Sequence, residues 1–276
     1  MRKIAEPTTP DLEALERLAK SRSASAKAVA SVRPALPSRY VAYLLAGGDP
    51  WTVEADPAFV PHKDDLTSLY ERPPAALKPH LESLRVGLTG SCPMCGRDAL
   101  GTLDHYLPKA DYPEFAFFSR NLVPACDRCN RARGNNVKGH MDGVRALHPY
   151  FDRFALRRVL SVVLRPDWRA PEIAPIPFDV EGHEREIVQW QVDFVLLPSG
   201  FEEYAAPIWA KLVANPLTLL GSDPSPISIV NKLQYLEDVE AINGESPNAW
   251  RSIIYHGVRL NPDAVQFLAE RVQASL

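Results

Sequence analysis

Residues 92–130 hold all four cysteines of the chain, as "CPMC" (Cys92, Cys95) and "CDRC" (Cys126, Cys129). A Cys-x-x-Cys turn brings two sulfurs to one ion, and two such turns close a tetrahedron of thiolates. No position stays open for water, so a zinc ion held there is structural. Beside these pairs lie residues that a zinc knot does not need: Asp104 and His105 in "LDHYLP", Asn121 in "RNLVP", and Asn130 directly after Cys129. These residue types suit phosphodiester hydrolysis. A neutral imidazole has a reference pKa of about 6.5, so His105 can take a proton from water at cellular pH. The Asp104 carboxylate and the Asn130 amide offer hard oxygen donors to Mg²⁺ or Mn²⁺, leaving coordination positions for a phosphate and water. Such a cation neutralises charge on the phosphate and the leaving oxygen. Lys109, Arg128, Arg131 and Arg133 add local positive charge. Arg128 and Arg131 share a helix face and can grip a nucleic-acid backbone without reading sequence.

In order and spacing, Asp104, His105, Pro108, Asn121, the four cysteines and Asn130 resemble the HNH endonuclease family, whose core is the ββα-metal fold. The resemblance covers about a fifth of the chain. It implies a metal-dependent endonuclease with DNA as the default substrate, RNA or tRNA remaining open. It also implies that Asn121 holds the loop around His105 and aims the imidazole. Asn130 stands where many members carry a final His. The longer run, with "HPYFD" at 148–152, is similar to the HNH subunits of Septu-type and retron-associated anti-phage systems, which operate beside an ATPase. That likeness implies antiviral defence and an ATPase partner. The competing reading is a non-catalytic zinc module that binds nucleic acid or protein. The cysteines support it equally well, but a binding module has no need of a base beside two oxygen ligands.

These residues need elements to position them. "ALGTLDHYLP" fits a hairpin arm with Gly101 near the turn, and "ACDRCNRARGNN" fits a short helix stopped by a left-handed Gly134. A regular strand would send Asp104 and His105 to opposite faces. Irregular backbone is therefore expected at 104–106, with Pro108 ending the arm. This module occupies 89–150. Residues 1–88 read as a mostly helical region, with a helix over 11–32 that has Thr9 as N-cap and Pro10 at its first position. Pro-rich turns follow over 33–62, then helix over 63–86 broken at "RPP". Residues 151–276 read as an α+β region available to a partner or substrate. Strands are expected at 156–166 and at 186–198, where Val188, Trp190, Val192 and Phe194 alternate with polar residues. Helices follow from 201 onward, the last with Asn261 as N-cap and Pro262 at its first position. The fold class is α+β: helical N-terminal region, zinc-stapled ββα module, α+β C-terminal region.

The 31 Lys+Arg against 34 Asp+Glu give a formal net charge of -3, which argues against a generally basic nucleic-acid coat and requires a local patch. No apolar run approaches the roughly 20 residues that span a bilayer. The first residues lack the apolar core of a secretory signal, so a cytoplasmic location is expected, where paired cysteines favour metal over disulfides. His140 and His148 are expected to be structural.

Overall fold

The computed structural model describes residues 1–86 and 89–276. It divides into two compact units, one of Lys3–Leu88 with Leu100–Asp152, the other of Met1–Arg2, Thr89–Ala99 and Arg153–Leu276.

In the first unit, α1 spans Asp11–Lys20 and begins one residue later than the sequence suggested. Pro10 takes the N-cap position, and the Thr9 hydroxyl instead meets Ser83 Oγ at 3.2 Å. Asp11 is buried, and its carboxylate accepts from the Ser119 N–H (2.8 Å), the Ser119 hydroxyl (2.6 Å) and Arg120 (2.8 Å). Helix α2 (Ala24–Ala28) is capped by Ser23. Helix α3 (Leu36–Leu45) occupies a stretch read from the sequence as turns. Pro37 lies in its first turn, where a missing N–H costs nothing. Helices α4 (Lys63–Glu71) and α5 (Lys78–Ser83) flank the "RPP" break.

Strand β1 (Thr102–His105) pairs antiparallel with β2 (Leu122–Ala125), Thr102 opposite Ala125 and His105 opposite Leu122. Gly101 precedes β1 and makes no hairpin turn; the link is the long segment 106–121. That segment folds because it is apolar. Phe115, Phe117 and Phe118 are all buried, and Tyr40 of α3 stacks on Phe118 at 4.1 Å. Each such ring contributes about 2–3 kcal/mol through burial. Helix α6 (Asp127–Arg133) follows β2 with Cys126 as N-cap. Gly134 ends it at φ 53, ψ -129. This is positive-φ backbone suited to glycine but outside the left-handed helical region expected for the stop.

In the second unit, β3 (Leu160–Arg165) pairs antiparallel with β4 (Glu172–Pro177). The two prolines of β4 hide it in the sequence. The Phe178 N–H bonds Val159 O, so by alternation Pro177 and Pro175 turn their nitrogens away from β3 and remove no ladder bond. The strand expected at 186–198 is not one. Residues Gly182–Gln191 form α7, which continues into a π-helical turn at Val192–Leu196. Val188, Gln191, Val192 and Val195 are buried at spacings of a helix, and the long polar side chains around them favour helix. Helices α8 (Phe201–Ala214), α9 (Pro216–Leu220), α10 (Pro226–Asn243), α11 (Trp250–Leu260) and α12 (Pro262–Gln273) complete the unit. Asn261 caps α12, its side chain accepting from the Ala264 N–H at 3.0 Å. The fold is α+β, predominantly helical with two small antiparallel sheets among the described residues. Among the described residues, no helix is long and apolar enough to cross a membrane.

Candidate functional site

The sulfurs of Cys92, Cys95, Cys126 and Cys129 lie within 4.8 Å of one another, and all four residues are buried. Four converging thiolates can hold a zinc ion and leave it no open position. Backbone N–H groups already point at the sulfurs. Cys126 Sγ accepts from the Cys129 N–H at 3.4 Å, and Cys95 Sγ from the Arg97 N–H at 3.5 Å. Such bonds favour the thiolate.

The remaining candidates separate across β1. The ladder with β2 stays regular through His105, so the irregular backbone expected at 104–106 is not found up to that residue. Asp104 and His105 accordingly leave the strand on opposite faces and meet different partners.

Asp104 faces α6. Its two oxygens are gripped by Arg133, from Nε at 3.0 Å and from Nη2 at 2.8 Å. The same guanidinium donates to the carbonyls of Tyr106 (3.2 Å), Asn136 (3.1 Å) and His105 (2.7 Å). All of its five N–H donors are therefore used inside the protein, and the residue is buried. Arg133 is thus not a phosphate contact, which corrects the sequence reading. The spacing offered the signal. Cys126, Cys129 and Arg133 recur at helical intervals on one buried face, whereas Arg128 and Arg131 lie off it and are exposed. Burial pushes the Asp104 carboxyl above its ordinary pKa although Arg133 pulls it down.

Asn130 lies one turn before Arg133 on α6 and donates to Thr102 Oγ1 at 3.2 Å. Thr102 precedes Asp104 by two residues, on the same face of β1. The Asp104 carboxylate, the Asn130 amide oxygen and the Thr102 hydroxyl are oxygen donors of the type a hard divalent cation takes, but both Asp104 oxygens are already bonded to Arg133. Arg133 would brace Asp104 from behind, as outer partners of ligands do. Its positive charge weakens the affinity of such a site.

His105 faces the other way. Its Nε2 lies 2.8 Å from the carbonyl of Ala116, which can only accept, so Nε2 carries the proton. Nδ1 then holds the lone pair and has no hydrogen-bond partner among the described residues. The ring stands edge-on to Tyr70, centroids 4.4 Å apart. Burial lowers its pKa to about 4, with nearby Lys109 and Arg133 acting in the same direction, so the imidazole is neutral at pH 7. Lys109 sits over the Tyr70 ring at 5.3 Å and pairs with Glu71 at 2.6 Å.

Asn121 touches neither cluster directly. It is fully buried, and its amide oxygen accepts from the Leu107 N–H (2.7 Å) and the Tyr43 hydroxyl (3.1 Å). Its amide nitrogen donates to the carbonyls of Leu107 (3.0 Å) and Phe115 (3.2 Å). Ala116, the residue after Phe115, supplies the carbonyl that holds His105. Tyr43, Tyr70, the Ala116 carbonyl and His148 belong to this arrangement, and nothing in their sequence spacing marks it.

No family model matches the chain. Protein ea31 of Escherichia phage lambda is 36% identical over 75 residues. The match covers 27% of this chain and spans about a quarter of that protein's length (25%). No solved structure matches.

Proposed function

We propose that the chain is a metal-dependent endonuclease of HNH type that hydrolyses phosphodiester bonds in nucleic acid, DNA by default. One observation carries this reading. His105 is held by a backbone carbonyl in the tautomer that leaves Nδ1 without a hydrogen-bond partner among the described residues, at the end of β1 and near Lys109. A neutral imidazole so placed acts as a general base toward water. Lys109, Arg128 and Arg131 supply charge for the substrate backbone. The resemblance gives Asp104 and Asn130 the task of holding Mg²⁺ or Mn²⁺, which when bound neutralises charge on the phosphate and leaving oxygen. Because Asp104 and His105 leave β1 on opposite faces, cation and base serve one phosphate only if the end of that strand turns. The zinc in the four thiolates has a structural task. Antiviral defence beside an ATPase partner, in the cytoplasm, follows from the family resemblance and forms part of the same proposal.

The test is cleavage of plasmid DNA, single-stranded DNA and total tRNA with Mg²⁺, Mn²⁺ or EDTA, beside His105→Ala and Asn130→Ala. Cleavage that needs both metal and His105 supports the reading and identifies the substrate class. Asn130→Ala should need more metal for the same rate. Equal cleavage by wild type and His105→Ala would refute the assignment of the base.

A further inference from the structure

The "HPYFD" segment takes no part in the chemistry proposed above, yet its polar groups are almost all engaged. Asp152 accepts two bonds from Arg145, each at 2.7 Å, and one from the His148 N–H at 2.6 Å. The Tyr150 hydroxyl donates to the carbonyl of Leu122, the residue opposite His105 in the β1–β2 ladder, at 2.9 Å. The His148 ring lies 4.0 Å from that of Tyr106, the residue after His105. The segment therefore grips the end of the hairpin at several points.

A chain of hydrogen bonds runs from it toward the base. The Tyr150 N–H donates to His148 Nδ1 at 3.2 Å, which leaves the imidazole proton on Nε2. Nε2 lies 2.9 Å from the Tyr43 hydroxyl oxygen and donates to it. Tyr43 then has its own proton for the Asn121 amide oxygen at 3.1 Å, with the Arg120 carbonyl as a second acceptor at 3.3 Å. Asn121 passes the constraint to Leu107 and Phe115. All three side chains from His148 to the loop, His148, Tyr43 and Asn121, are buried, so little water can replace their bonds. Burial also holds His148 well below its ordinary pKa, so its ring stays neutral. Gly48 makes room for the junction. It has φ +68, and a Cβ there would come within 2.8 Å of both the His148 ring and the Tyr43 hydroxyl.

We infer that His148 and Tyr43 are positioning residues for His105, acting through Asn121 on the loop whose Ala116 carbonyl fixes the orientation and tautomer of the imidazole. This rests on the general-base reading for its functional meaning, but its physical content is separate and can be measured without any substrate.

The experiment is ¹⁵N NMR of the His105 side chain at neutral pH in wild type, Tyr43→Phe, His148→Gln and His148→Leu, with cleavage kinetics alongside. Tyr43→Phe keeps the ring and removes one hydroxyl. His148→Gln keeps a donor for Tyr43, while His148→Leu does not. Wild type and His148→Gln should show the Nε2–H tautomer. Tyr43→Phe and His148→Leu should show the two nitrogen shifts moving together as the tautomers mix, with kcat lower by about ten-fold or more and KM little changed. An unaltered His105 spectrum in folded Tyr43→Phe would overturn the inference, as would identical spectra for His148→Gln and His148→Leu. Should Tyr43→Phe fail to fold, the Gln-against-Leu contrast decides. Absence of cleavage in wild type together with the expected spectra would refute the nuclease and leave the positioning chain standing.

Discussion

Two buried histidines, one in each unit, invite comparison. His105 ends β1, and His256 on α11 packs beside β3. Burial pushes both down to about 4, with nearby cationic groups adding to it in each case. The pKa therefore does not distinguish them. Their bonding does. His105 Nε2 meets a carbonyl, which only accepts and so keeps the proton on that nitrogen, whereas His256 Nδ1 lies 2.8 Å from the Ser161 hydroxyl, which can donate or accept. A depressed pKa reports burial. The position of the ring proton is set by the bonding partner.

The sheets around them differ in the same sense. β3–β4 has six residues per strand and a mostly apolar buried face. β1–β2 has only four per strand and surrounds itself with Asp104, Arg133, Asn121, Tyr43 and His148, all buried and bonded. Buried ion pairs are weak sources of stability compared with apolar packing. What such a network supplies to a short hairpin is a defined geometry.

The largest effect is expected at the thiolates. Cys126→Ser should lose zinc and unfold the β1–β2–α6 region, because the binding free energy of a structural zinc, about 10 kcal/mol or more, is also folding free energy. Metal content by mass spectrometry and a thermal melt check this, and an unchanged melt would contradict it. His105→Ala should lower the cleavage rate by roughly 10²–10⁴-fold with the fold intact, and His256→Ala should leave the rate near wild type. Equal losses in both would erase the distinction drawn here.

Arg133→Met should destabilise by about 3–5 kcal/mol, since it leaves the Asp104 carboxylate buried without its partner. Adding Asp104→Leu should recover part of the loss in urea unfolding, and no recovery would argue against the pair as the cause. The pH dependence has a definite sign. Below the unfolded pKa, about 6.5, the unfolded chain binds protons at His105 that the folded chain does not. Stability should therefore fall as pH drops from 6.5 toward about 4, by at most about 3 kcal/mol from this residue. Unfolding curves for wild type and His105→Gln across that window should diverge, and parallel curves would count against the shift. The smallest effect is Ser161→Ala, at about 1 kcal/mol by chemical denaturation and without change in cleavage.

Much of the candidate site was visible in residue types. Two Cys-x-x-Cys turns are a local signal, and their sulfurs do come together. The capped start of α12 was readable because Asn-Pro acts within one turn. Other elements were misread where two periods fit the same residues. Val188, Trp190, Val192 and Phe194 alternate like a strand, yet the chain there is helical, and Gln191 is buried against the Met94 carbonyl. Prolines misled twice, at β4 and at α3, because their effect depends on whether the missing N–H was needed. Arg133 was misassigned because its charge was read ahead of its spacing, which puts it on the buried face with Cys126 and Cys129.

Residue order settles which chemical groups are present and which lie within a turn of each other: the thiol pairs, the adjacent Asp104 and His105, and Asn130 with Arg133 on α6. Only the tertiary structure decided their states. It turned Arg133 inward onto Asp104, gave the His105 proton to Nε2, and joined Tyr43 and His148, far apart in the sequence, to Asn121. Proton position and ion pairing depend on atoms within about 3 Å. The carbonyl of Ala116 and the hydroxyl of Tyr43 reach that distance only when the chain is folded.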